Sequence, residues 1–182
     1  MSITTTEYAL LAGASYFDTR ADINRIPYAY NFGWRRFAPE QHLDHRAVNS
    51  SGFEAAAFIR NDGQIVISYA GTYFPQSADL VADIAIGVGF AHNQLLQAAL
   101  YYEDVKKWAI AQGYDANNIS FTGHSLGGGL AALMGVFFNL TAQTFDVAAI
   151  NLNFVERISY LRNPPHAEFS INDEIYKLKL AA

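Results

Sequence analysis

The chain has no cysteine, so disulfides play no part in holding it together, which suits a reducing compartment without requiring one. It is also short of positive charge. Twelve Lys and Arg stand against 17 Asp and Glu, a net charge of −5, and no basic stripe or RNA-reading motif is present. Nucleic acid is therefore not an expected partner. Long hydrophobic runs are missing too. Ile84 to Ala91 holds two glycines and Leu126 to Phe138 four, and both are too short to span a bilayer. Met1 to Glu7 lacks a basic n-region and an apolar h-region, so no cleavable signal is visible and the expectation is a cytoplasmic protein, or one secreted without such a leader. Internal repeats and low-complexity segments are absent. What is abundant is apolar and aromatic: 51% of the 182 residues are hydrophobic, with 13 Phe and 11 Tyr. That length fits one domain able to bury about 70% of its unfolded surface. Lys179-Leu180-Ala181-Ala182 resemble an appended cloning linker. The expected domain therefore runs over 1–178, with 179–182 outside it, and the chain is expected to stop early.

Hydrophobic spacing predicts a first helix from Thr6 to Phe17. An irregular stretch follows at 22–50, punctuated by Pro27, Gly33 and Pro39. Its aromatics from Tyr28 to Phe37, with Arg35 and Arg36, read as a hydrophobic wrapper over the first strands, with a cover for an acyl pocket as the alternative. Phe53–Arg60 and Gln64–Tyr69 read as strands joined by Asn61-Asp62-Gly63, a hairpin signal. A short helix is expected from Ser77 to Ile86, and a long amphipathic one from Asn93 to Gln112, closed by Gly113. Strand 118–122, helix 126–139 and a strand from Val147 to Leu152 follow, with Ile175–Leu180 as a last short strand. Strand–helix–strand–helix–strand over 64–152 predicts an α/β fold with a mostly parallel sheet and helices on both faces. Gly87-Val88-Gly89 is not preceded by a strand and reads as a helix break or tight packing site rather than a phosphate loop.

The most informative stretch is Ile119-Ser120-Phe121-Thr122-Gly123-His124-Ser125-Leu126-Gly127. A β-rich run ends in G-x-S-x-G and an Ala/Leu-rich helix follows at once, which is the context a nucleophile elbow requires. A strand reversing sharply into a helix leaves the serine strained and its Oγ exposed. Gly123 and Gly127 come close together in such a turn, where a Cβ would clash. The helix N-terminus aims its free amides at the place where an oxyanion forms. Ser125 is the predicted nucleophile and the Leu126 amide the predicted first oxyanion donor. Ile67-Ser68-Tyr69-Ala70-Gly71-Thr72, a strand ending in Gly-Thr, offers the second at Thr72, which taken alone reads as an ordinary strand-to-loop residue.

Three motifs in this order resemble the class 3 lipases: Ile65 to Thr72, Asp79-Leu80-Val81-Ala82-Asp83, and Phe121 to Gly128. The resemblance covers about 53–150. It implies an α/β-hydrolase fold, cleavage of carboxylic esters, Ser125 as nucleophile, and Thr72 and Leu126 as oxyanion donors. Asp83 looks like the acid that supports the oxyanion turn, and a solvated helix-start carboxylate is the alternative there and the preferred reading for Asp79. His124 is the usual elbow residue of such a motif, expected to pack rather than to act as a base.

The order implied by the resemblance is Ser, Asp, His. After Ser125 the chain offers Asp146 and Asp173 as aspartates, and His166 as its sole histidine, in a Pro-Pro-His loop. Asp146 keeps the order but is expected just before a strand, at the end of the sheet opposite the active-site face. Asp173 reverses the order, and Glu168 and Glu174 stay open as acids. His166 reads equally as a solvated loop residue. His42 and His45 are spaced H-x-x-H without a third ligand, so no metal site is expected, and His92 falls near the start of the long helix.

The reading is a serine ester hydrolase of lipase or carboxylesterase type, phospholipase included. It takes an acyl ester, lipid among the options, and needs no cofactor. The alternative is a truncated hydrolase fold acting as a binding or assembly module, and a transferase or thioesterase with the same elbow is a third option. A shortened sheet exposes an unpaired edge, so a homo-oligomer is expected.

Overall fold

The computed structural model describes residues 2–16, 31–37, 53–71 and 88–147, with side chains of the long helix described from residue 94. All lie within the compact unit Met1–Ala149. The elements are α1 (Thr5–Ala14), β1 (Trp34–Arg36), β2 (Ala55–Arg60), β3 (Ile65–Tyr69), α2 (Val88–Ala111), a 3₁₀ turn (Ala116–Asn118), β4 (Ile119–His124), α3 (Leu126–Phe138) and β5 (Ala142–Phe145). Among the described residues, no helix is long and apolar enough to cross a membrane.

The five strands form one sheet in the order β1-β2-β3-β4-β5. Among the described residues it is mixed rather than mostly parallel. β1 and β2, and β2 and β3, pair antiparallel, whereas β3–β4 and β4–β5 are parallel. The hairpin is the one Asn61-Asp62-Gly63 signals, with Gly63 at φ 82°. β1 came without a sequence signal because its three residues are too few for an alternation to show. β5 also departs from expectation: it occupies 142–145, and Val147 lies outside it. The rest of the expected strand Val147–Leu152 lies outside the described residues, as do the expected helix Ser77–Ile86 and the last strand Ile175–Leu180.

Helices cover both faces. Strand alternation sends Val66, Ser68, Ser120 and Thr122 to one side. There the Tyr8 hydroxyl donates to Ser120 Oγ at 3.0 Å, and Thr122 Oγ1 donates to the Tyr8 carbonyl at 3.2 Å. Tyr8, Leu11 and Ala14 of α1 pack with Trp34, Ala56, Phe58 and Val66 on this side. On the other face Tyr69 stacks on Phe121, which meets Tyr102 of α2, and the buried Tyr69 hydroxyl donates to the Ala98 carbonyl at 3.0 Å. α2 starts at Val88, ahead of the expected Asn93 and taking in Val88 and Gly89 of the expected break; beyond its last residue Gly113, φ 82°, closes it as its sequence predicts, its amide reaching the Ile110 carbonyl.

α1 starts at Thr4, whose hydroxyl accepts from the Glu7 amide while the Glu7 carboxylate accepts from the Thr4 amide, a capping box. Glu7 is buried and accepts further from Trp34 Nε1 at 2.9 Å and Arg60 Nη1 at 2.6 Å. Burial pushes this carboxyl upward. The bonds from the Thr4 backbone, Trp34, the Thr4 hydroxyl and Arg60 outweigh it and hold the pKa at about 2, from an ordinary 4.5. A depressed carboxylate contributes stability above its ordinary pKa and loses it as pH falls towards its folded value. Between pH ~5 and ~2 the chain should therefore lose about 3 kcal/mol of unfolding free energy that Glu7→Gln does not lose. Urea titrations at the two pH values check this, and parallel declines would show that the network contributes nothing.

Candidate active site

At the end of β4 the backbone of Ser125 takes φ 57°, ψ −126°, and α3 begins at the next residue. A non-glycine residue held there stores about 1–3 kcal/mol of strain. Its surroundings enforce it. The Ser125 amide donates to the Phe145 carbonyl at 3.1 Å, and the Gly129 amide donates to the Ser125 carbonyl at 3.2 Å. A Cβ on Gly123 would run into the Gly127 carbonyl, and a Cβ on Gly127 into the Tyr69 carbonyl. Both glycines are thus required for strand, turn and helix to fit.

Ser125 also stands at the N-cap of α3, where a serine normally spends its oxygen on a helix amide. Here it makes no side-chain cap bond, and the residue is partly exposed. The hydroxyl is not committed to the helix. Leu126 is the first residue of α3, among the leading amides that lack an intrahelical acceptor.

Parallel pairing sets the carboxyl ends of β3, β4 and β5 side by side, bringing Gly71, Ser125 and Asp146 to one edge of the sheet. That edge is where α/β sheets place their sites. Asp146 is a correction: it follows β5, so it lies at the same end of the sheet as Ser125, not the opposite one. It sits at φ 43° with its side chain 90% exposed. Its Oδ2 lies 3.8 Å from Nε2 of His124. His124 is itself half exposed, so its ring is not the packed elbow residue expected.

Gly71 abuts the elbow. A Cβ built on it would lie 3.1 Å from the His124 carbonyl and 3.3 Å from Ser125 Cβ. Its amide donates to the Tyr16 hydroxyl at 2.8 Å, and that hydroxyl lies 3.3 Å from His124 Nδ1. Tyr16 therefore belongs to the site. No spacing in the sequence points to it, since 108 residues separate it from His124. Gly123, His124, Ser125, Leu126 and Gly127 assemble at the elbow, with Asp146 beside it. Thr72, Asp79, Asp83, His166, Asp173, Glu168, Glu174, His42 and His45 lie outside the described residues. Among the described residues, no group of three His, Asp or Glu is placed to hold a metal ion.

The model of a phospholipase-like family, the Tle-like phospholipase domain, matches residues 7–171. Among solved structures, the extracellular lipase LipA from Serratia marcescens is similar at 25% identity, with a TM-score of 0.41, over 59% of this chain and 22% of that one. The chain thus spans about a fifth of that lipase's length. No curated protein matches it significantly.

Proposed function

The chain belongs to the Tle-like phospholipase domain family, and on that premise we propose that it is a serine hydrolase of lipid esters working through an acyl-enzyme on Ser125. The observation that carries this is the backbone of Ser125, φ 57°, ψ −126°, with a hydroxyl that caps no helix. Strain of that kind needs a compensating use, and presenting a nucleophile is the use that a strand–turn–helix elbow serves. Gly71 against Ser125 supports an oxyanion site between the turn after β3 and the start of α3, with Thr72 and Leu126 as its donors. The parallel β3-β4-β5 core supports an α/β-hydrolase arrangement, and the order of motifs supports a class 3-like version of it.

In this mechanism Ser125 Oγ attacks the ester carbonyl and passes its proton to His166, which then protonates the leaving alcohol. Water deprotonated by the same imidazole cleaves the acyl-enzyme and releases the acid. Asp146, on the same sheet edge as the serine, or Asp173 orients the base. A fluorophosphonate probe should modify Ser125 and no other serine, as read by peptide mass spectrometry. His166→Ala should slow that labelling by about tenfold or more. Labelling elsewhere, with Ser125 untouched, would sink the assignment.

A further inference from the structure

We propose that Val147 is a specificity-determining residue of this site, its side chain forming the apolar wall against which the acyl chain of an ester lies. This role rests on the serine-hydrolase reading and gives the hydrocarbon of the substrate a place in it. Among the described residues, Phe32, Ile110, Val136 and Val147 are the large apolar side chains that stand exposed, the last at 49%. Phe32 precedes β1, Ile110 lies at the end of α2 and Val136 near the end of α3. All three are at the amino ends of the parallel strands, since β1 runs with β3, and α2 and α3 each return the chain to the start of a strand. Val147 follows β5 and so emerges at the carboxyl ends, where Ser125 stands. Apolar surface beside a nucleophile is surface that a hydrocarbon substrate removes from water.

The backbone explains how the valine comes to lie there. Asp146 takes φ 43°, a left-handed conformation that aspartate tolerates better than most residues and that ends the extended run of β5. The chain turns, and Val147 lands on the first turn of α3. A Cβ built on Gly128 would lie 3.3 Å from Val147 Cγ2 and 3.1 Å from the Phe145 carbonyl. The valine methyl therefore rests over a position that has no side chain. Ser125, at the N-cap, and Gly128 are three residues apart, which makes them neighbours about 5–6 Å apart on the helix surface. The elbow is thus flanked by two unlike walls. On the β3 side Gly71 closes in, a Cβ built there lying 3.3 Å from Ser125 Cβ, and that is the side proposed for the oxyanion. An ester carbonyl that points its oxygen that way turns its substituents towards β5. There Val147 offers methyl groups, while the side chain of Asp146, 90% exposed, carries its charge out into water.

The test pairs a covalent adduct with a chain-length series. Ethyl p-nitrophenyl octylphosphonate should modify Ser125: the Oγ–P bond forms, p-nitrophenolate leaves and the serine proton passes to the base. The octyl group then occupies the place of the acyl chain. In this adduct of the wild-type chain, NMR should show nuclear Overhauser contacts between the Val147 methyl protons and the octyl protons. An adduct on Ser125 without them, or with contacts to the ethoxy group alone, overturns the role of Val147 and leaves the nucleophile standing. Failure of the phosphonate to modify Ser125 takes both readings down. In Val147→Ala the ratio of kcat/KM for p-nitrophenyl octanoate to that for p-nitrophenyl acetate should fall about fivefold or more, and in Val147→Asp about twentyfold or more. A ratio within about twofold of wild type in either variant overturns the proposal. The adduct needs no variant, so a substituted chain that fails to fold does not shield it.

Discussion

Ser125→Ala should lose about three decades or more of activity against short p-nitrophenyl esters, close to 4 kcal/mol of transition-state stabilisation. The proposed oxyanion donors survive the substitution, so a small residual rate over water is expected. Folding should change little, because alanine inherits the same φ of 57° and the oxygen lost makes no cap bond. Ser125→Gly sharpens the point. Glycine occupies that region without a Cβ penalty, so this variant should be equally inactive yet more stable by about 1 kcal/mol or more. Greater stability with no turnover is the mark of strain retained for chemistry. Wild-type turnover in Ser125→Ala would remove the serine from the mechanism.

Gly127→Ala should cost about 3–5 kcal/mol of unfolding free energy, or prevent folding altogether. Helix propensity alone predicts the reverse, since alanine is better by about 1 kcal/mol inside a helix. The sign of the change therefore decides between local and tertiary control. A Cβ at 127 meets the carbonyl of Tyr69 and the carbonyl carbon of Ala70, which are backbone atoms of the β3 end and cannot swing aside. Relief requires α3 to lift off the sheet, which also breaks the approach of Gly71 to Ser125. Gly128→Ala provides the comparison, because its nearest obstacles stand at 3.1 Å and call for a shift of only tenths of an ångström. Urea midpoints should rank wild type, then Gly128→Ala, then Gly127→Ala. A Gly127→Ala midpoint at or above wild type would mean that helix and strand are not packed this closely.

The sequence signals that held are those written within a few residues. Gly123-His124-Ser125-Leu126-Gly127 encodes its turn because two glycines and a serine at fixed offsets are a steric requirement. Asn61-Asp62-Gly63 encodes the hairpin for a similar reason, and Gly113 the end of α2. The capping box of α1 was written as plainly in Thr4-x-x-Glu7, with the cap two residues ahead of the predicted start at Thr6. Charge networks were less accessible. Glu7, Trp34 and Arg60 are far apart in the chain and show no mutual pattern, and nothing local marks a glutamate destined to be buried.

The residues alone determined the elbow, the glycines it demands and the hairpin, since backbone sterics act between neighbours in the chain. Only the folded sheet decided that β1 and β2 run antiparallel to the parallel strands. The same holds for the side of the sheet on which Asp146 emerges and for the Tyr16 hydroxyl that joins Gly71 to His124. These depend on which strand pairs with which, and pairing is set by the long-range burial of α1, α2 and α3 against opposite faces, a quantity no short window of sequence contains.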